Sequence, residues 1–275
     1  MTSEPRIQEL QELAHGEGYD YRSGSPHIKH PQLYDWFSHV LREEVRHVAG
    51  LDLPMTVLEV GAGDGAFVEP LLATGASVAG TEMSRSSLDA LESRFGTNRS
   101  FEAVFDPDGS FASLGDRRFA IVLYASVLHH IPDYLTAMAD ACERHLLPGG
   151  TLLTLQDPLW YPSLPPGVHA ASEAMYLSWR ITRGNFLRGL ASRARRMRNH
   201  FQPDQPGDMV EYHVVRDGVD QDSVTQLLQP RFESMRLSSY WSTHAAIWQA
   251  VGERLHLSNT FAVQARGYLA SNQRL

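Results

Sequence analysis

The sequence predicts an α/β fold built on a doubly wound, mostly parallel sheet of seven strands. Three observations predict it. Between residues 55 and 157, short apolar runs alternate with helical patterns, as βαβ units do. The first of these runs ends in a glycine-rich turn, Gly61-Ala-Gly-Asp-Gly65, the kind of turn that lets a strand pass sharply into the next element. Two further strand patterns lie near the C-terminus and complete the count.

Taken in order, Ile7–Ala14 has the spacing of a short helix. The run Gly16–Pro26 is rich in turn formers and reads as a loop. From Gln32 to Val48, the residues Leu33, Trp36, Phe37, Val40, Leu41 and Val45 recur at helical spacing. Residues 1–50 are therefore expected to form an N-terminal helical cap, and 51–275 the main domain. Thr56–Val60 is the first strand, followed by the glycine turn and a helix from near Gly65 through Leu72. Ser77–Thr81 is a strand and Ser86–Phe95 a helix. Ser100–Phe105 and Phe119–Tyr124 are strands, Asp133–His145 a helix and Thr151–Leu155 the fifth strand.

The rhythm breaks at Pro158. Four prolines (158, 162, 165, 166) precede a helical stretch from about His169 to Arg198, and a Pro/Gly loop follows. That length is too great for a plain connection inside an α/β unit. The segment at about 158–207 reads as an insertion forming a lid over a ligand site. After it come a helix near Asp222–Leu228, strands at Glu233–Tyr240 and Asn259–Tyr268, and a helix between them from His244 to Leu255. The last two strands are expected to close the sheet as a hairpin-like pair.

Bulk properties narrow the function. The chain has 275 residues, 43% hydrophobic and 20% charged, which fits a globular protein. With 24 basic and 32 acidic residues the formal charge is −8, so no general field attracts nucleic acid or an anionic membrane. The N-terminus has no basic start and no apolar core, and no apolar run approaches the roughly 20 residues needed to span a bilayer. A single cysteine, Cys142, rules out an intramolecular disulfide and suits a reducing compartment. A cytoplasmic protein is the expectation. No His, Cys or carboxylate spacing matches a metal site, so no metal is expected.

The chemistry sits at Val57-Leu-Glu-Val-Gly-Ala-Gly-Asp-Gly65. Its glycine spacing alone leaves a nicotinamide dinucleotide site open, because Ala66 stands where such sites accept alanine. Glu59 argues the other way: a carboxylate there can order the loop or receive a cationic ligand group, and is unhelpful beside a pyrophosphate. Glu82, at the end of the second strand and 17 residues past Gly65, can accept both hydroxyls of a ribose.

Glu59-x-Gly61-x-Gly63-x-Gly65 with Glu82 resembles the class I S-adenosylmethionine-dependent methyltransferases of the small-molecule, natural-product type. Phe119–Asp133 resembles that family's fourth strand and following loop, and Leu146–Leu153 the turn into its fifth strand. The resemblance covers roughly residues 55–157. It implies a Rossmann-like fold, S-adenosylmethionine as cofactor and S-adenosylhomocysteine as product. It places Gly61, Gly63 and Gly65 along the methionine end, Glu59 near its ammonium, Glu82 on the ribose and Met83 beside the adenine. Asp106, with Asp108 as the alternative, takes the adenine amine, and Tyr124 and Ala125 close the site. Tyr21 and His27 come from an N-terminal segment that in this family often folds over the cofactor.

His129 and His130 follow the fourth strand, where the resemblance implies a histidine base for a hydroxyl acceptor. The sequence does not separate them. Asp157, after the fifth strand, faces the same rim and can orient a histidine or bind the acceptor. His213 and His244 are weaker candidates. Arginines at 180, 183, 188, 193, 195, 196 and 198 read as a solvated helix face, or as a lid that meets an anionic acceptor, an acidic carrier protein or a second copy of the chain. Trp160, Tyr161, Tyr176, Trp179 and Phe186 read as lid core or as the wall of an apolar acceptor pocket. The expected activity is methyl transfer to a hydroxyl of a small secondary metabolite, such as a polyketide or glycoside. A cyclase or isomerase that keeps the cofactor without transferring its methyl is the alternative, and a nicotinamide-dependent reductase is the third reading.

Overall fold

Seven strands hydrogen-bond in the order β3-β2-β1-β4-β5-β7-β6 in the computed structural model, which describes residues 25–182 and 217–270. The strands are β1 (Thr56–Val60), β2 (Ser77–Glu82), β3 (Phe101–Phe105), β4 (Phe119–Ala125), β5 (Leu146–Pro158), β6 (Phe232–Tyr240) and β7 (Thr260–Tyr268). The helices are α1 (Pro26–Lys29), α2 (Pro31–Gly50), α3 (Val68–Leu72), α4 (Arg85–Phe95), α5 (Tyr134–Asp140), α6 (Pro166–Thr182), α7 (Gln221–Leu228) and α8 (Ala246–Arg254). Tyr21, His213 and the arginines from 183 to 198 lie outside the described residues, as does the predicted helix at 7–14. Among the described residues, no helix is long and apolar enough to cross a membrane.

Strands β1 to β5 run parallel, and β7 runs antiparallel to both of its neighbours. The last two strands pair as expected, with β7 between β5 and β6 and β6 at the edge. Burial explains the order. Strand β7 is covered along most of its length and needs neighbours on both sides, whereas most of β6 is exposed and tolerates the edge. The expected doubly wound α/β architecture is present, with one core layer on each face of the sheet.

Helix α2 starts at Pro31, whose missing N–H costs nothing at a helix start. Its residues Phe37, Leu41, Val45 and Val48 are buried against Val57, Ile121 and Leu153 of the sheet. Glu44 on the same helix is fully buried and accepts from Arg266 Nε of β7 at 3.0 Å and from Gln264.

Two helices differ from the sequence expectation. The helix expected from near Gly65 begins only at Val68 and has five residues. Gly61, Gly63 and Gly65 have φ of +65, +57 and +75, outside the right-handed helical region, so the chain turns through this stretch. The helix expected at 133–145 ends at Asp140 and widens into a π-turn over Ala141–His145.

The chain order in the sheet reverses between β1 and β4. In open α/β sheets that reversal opens a crevice at the carboxyl ends of the strands, where ligands bind. Here it brings the glycine turn after β1 beside the segment from Ser126 to His130 after β4.

Candidate active site

A cavity of about 410 Å³ fills this crevice. Its floor is the glycine turn, with Gly61, Ala62, Gly63, Asp64, Ala66 and Phe67. Gly61 must be glycine: a Cβ there would stand 2.6 Å from Val127 Cγ2, on the opposite wall. Gly63 donates its N–H to Glu82 Oε2 at 2.9 Å. Glu82 Oε1 accepts from Met83 N at 3.0 Å and Ser84 N at 3.2 Å, so this carboxylate ties the ends of β1 and β2 together while facing the cavity. Asp106 and Asp108 both line the cavity after β3; Asp106 also accepts the Phe111 N–H at 3.2 Å.

Among the described residues expected at the site, Gly65, Tyr124, His129 and Asp157 do not line the cavity. A Cβ at Gly65 would meet Phe95 Cε2 at 2.4 Å and Leu91 Cδ2 at 2.9 Å, so the missing side chain lets the turn pack on α4. Tyr124 does not line it either. Side chains alternate along β4, so Ala125 faces the cavity while Tyr124 is fully buried in the core and donates its hydroxyl to the Ala137 carbonyl at 3.3 Å. Met83 and Ala125 lie in the wall as expected.

The electrostatics of the cavity are one-sided. Glu59, Asp64 and Glu82 line one part, and Asp106, Asp108, Asp133 and Asp140 another, while no lysine or arginine lines it among the described residues. Glu59 is 2% exposed, and its Oε2 has no hydrogen-bond partner. Burial, then the negative neighbours Asp64 and Glu82, push its carboxyl up to about 8. Such a site repels a pyrophosphate and attracts a cation. A sulfonium with an ammonium beside it fits this donor set, and a nicotinamide dinucleotide does not.

The N-terminal segment covers one side. His27 of α1 lines the cavity, is 4% exposed and stacks on Phe67 with ring centroids 5.8 Å apart. Burial, aided by His244, lowers its pKa to about 3, so its imidazole is neutral. Helix α1 is held by His30 Nε2 donating to the Thr243 carbonyl at 2.6 Å and Lys29 Nζ donating to the His244 carbonyl at 2.9 Å.

The structure separates the two adjacent histidines. His130 lines the cavity. His129 does not line it but packs against His130, ring centroids 4.0 Å apart, and places Nδ1 2.9 Å from Asp157 Oδ1. The same oxygen accepts the backbone N–H of His129 at 3.2 Å. Asp157 has no solvent exposure, and its Oδ2 has no partner. Burial pushes its carboxyl well above the usual range, while the backbone N–H groups of His129 and Leu128 pull it back toward the ionised form.

Residues 58–152 match the family model described as "Methyltransferase domain". This stretch, about a third of the chain, is similar to the methyltransferase domain of that family. The cofactor of such a domain is S-adenosylmethionine, the cation that the acid-lined cavity suits. The chain is similar to a ubiquinone biosynthesis O-methyltransferase of Thiobacillus denitrificans, 33% identical over 97 residues, covering 34% of this chain and 40% of that one. It is also similar to one of Aromatoleum aromaticum, 29% identical over 153 residues, covering 54% and 61%. These alignments thus span about half the length of the relatives. The plantazolicin methyltransferase BpumL in complex with SAH shares the fold, with 11% identity over 95% of each chain and a TM-score of 0.52.

Sequence reasoning missed how Asp157 comes to face His129. Gln156 immediately before it has φ +66, and the pairing of β5 with β7 shifts register between Thr154 and Asp157. A left-handed glutamine carries no signal in a single sequence, because nothing in its side chain favours that conformation.

Proposed function

We propose that the protein is an S-adenosylmethionine-dependent methyltransferase that methylates a hydroxyl of a small molecule. The observation that carries this reading is the buried Asp157 holding His129 Nδ1 at 2.9 Å, beside a cavity suited to a cationic cofactor. With Nδ1 fixed in this way, Nε2 of His129 is the nitrogen that takes a proton. S-adenosylmethionine supplies an electrophilic methyl on a sulfonium and departs as S-adenosylhomocysteine. The chain's own residues do the rest. Glu59 holds the ammonium of the amino-acid end, Glu82 the ribose hydroxyls, and Met83 with Asp106 the adenine. His129 removes the acceptor's hydroxyl proton as the new oxygen–carbon bond forms, and Asp157 balances the imidazolium charge.

The relatives named as O-methyltransferases support oxygen as the accepting atom. A secondary metabolite of polyketide or glycoside type is the acceptor class we infer, and the aromatic side chains of the segment after β5 would suit it: Tyr161 stacks on His169 at 4.9 Å and Tyr176 lies 5.6 Å from His244. The test is incubation of the purified protein with S-adenosylmethionine and a panel of hydroxyl-bearing aromatic and glycosidic acceptors, read by mass spectrometry. A gain of one methylene, lost when the hydroxyl is blocked, supports the reading. A product of unchanged mass would establish the cyclase or isomerase reading in its place.

A further inference from the structure

Strand β5 departs from regular pairing just before Asp157. Gln156 lies in the left-handed region at φ +66, which an unbranched side chain enters only when its surroundings hold it there. Three contacts hold it. Its N–H donates to Tyr240 Oη at 2.9 Å, its Nε2 donates to Ser242 Oγ at 2.7 Å, and its Oε1 accepts from Tyr240 Oη at 3.3 Å. Ser242 is itself fixed: its N–H donates to Asn259 Oδ1 at 2.9 Å, and its carbonyl accepts from Asn259 Nδ2 at 3.0 Å.

The consequence falls on the next residue. A bulge of this kind re-aims the side chain that follows it. Asp157 therefore turns inward, fully buried, to meet both the backbone N–H and the ring of His129. Regular β5–β7 pairing would continue the alternation from Thr154 and point residue 157 elsewhere.

We propose that Tyr240 and Gln156 are positioning residues for the His129–Asp157 pair, acting through this bulge. Tyr240 belongs to β6, an edge strand with no other part in the site, and its ring is locked between Trp36 and Phe37 of α2 at centroid distances of 5.0 and 5.7 Å. The proposal rests on His129 being the base, but its structural part can be read without turnover.

The test compares wild type with Tyr240→Phe, which keeps the ring, and with Ser242→Ala, which removes only the side-chain amide contact. Two readouts are used: the Nδ1–H proton resonance of His129 by NMR, assigned with His129→Gln, and the pH profile of kcat. Tyr240→Phe is expected to broaden or shift that resonance, lower kcat about ten- to hundredfold and displace the pH profile, with affinity for S-adenosylhomocysteine unchanged within about twofold. Ser242→Ala moves each in the same direction by less. Gln156→Gly, which adopts φ +66 freely, recovers part of the loss when combined with Tyr240→Phe. Unchanged resonance and pH profile in a folded Tyr240→Phe protein would overturn the proposal. Failure of every acceptor to be methylated would instead count against the proposed function and leave the NMR arm informative.

Discussion

His129 Nδ1 lies 2.9 Å from Oδ1 of Asp157, a carboxyl group with no solvent exposure. The pair has one clear chemical use, to keep an imidazole in one tautomer and orientation. His129→Ala is expected to lower kcat by about 10²–10³-fold, the usual contribution of a positioned base. Asp157→Asn is expected to cost a similar factor, because an amide cannot accept the His129 backbone N–H and balance an imidazolium with the same oxygen. Both variants should bind S-adenosylhomocysteine within about threefold of wild type. Single-turnover rates and calorimetry on the same preparations check this.

Glu59 links the cofactor to pH. Its carboxyl is pushed from 4.5 to about 8 by burial and by Asp64 and Glu82. Between those values the folded, cofactor-free protein keeps a proton that the unfolded chain has lost. The unfolded state then binds fewer protons, so stability falls as pH rises through the window. Glu59→Gln, neutral throughout, should therefore lose less stability between pH 5 and pH 8 than wild type, by up to a few kcal/mol. Thermal melts across that range measure it.

The same group should make cofactor binding release a proton. An ammonium beside Glu59 favours its charged form, so binding at pH 7 should release about one proton, and Glu59→Gln should abolish that release and weaken binding. Calorimetry in two buffers of different ionisation enthalpy reads the proton directly.

The glycines separate by role. Gly65→Ala forces a Cβ against Phe95 and Leu91 at φ +75, and should destabilise the fold by about 2–3 kcal/mol. The folded fraction should bind cofactor nearly as wild type does. Gly61→Ala pushes Val127 into the cavity and should cost affinity for S-adenosylhomocysteine more than stability. Denaturant unfolding and calorimetry on both variants distinguish the two outcomes.

Much of this was legible in the sequence, for physical reasons that differ by element. The strands β1, β2 and β4 are apolar runs that only a buried parallel sheet accommodates, and the glycine turn with Glu59 and Glu82 marks the crevice. The insertion of β7 was less legible, because strand order depends on which of two similar runs is the better buried. Gly65 looked like its neighbours at 61 and 63, yet it faces α4. Tyr124 was displaced from the site by the alternation of β4, which one residue of register decides. His129 and His130 could not be told apart until Asp157, 28 residues away, was seen to bond the first of them. That contact depends on a left-handed Gln156 held by Tyr240 and Ser242, a long-range arrangement that no local pattern announces.

The acid-lined cavity should accept the S-adenosyl cofactor and refuse a nicotinamide dinucleotide. Calorimetric titration of the wild-type protein with S-adenosylhomocysteine and, separately, with NADH tests it most directly. Saturable binding of S-adenosylhomocysteine and no heat from NADH are expected. Saturable binding of NADH with no response to S-adenosylhomocysteine would contradict this.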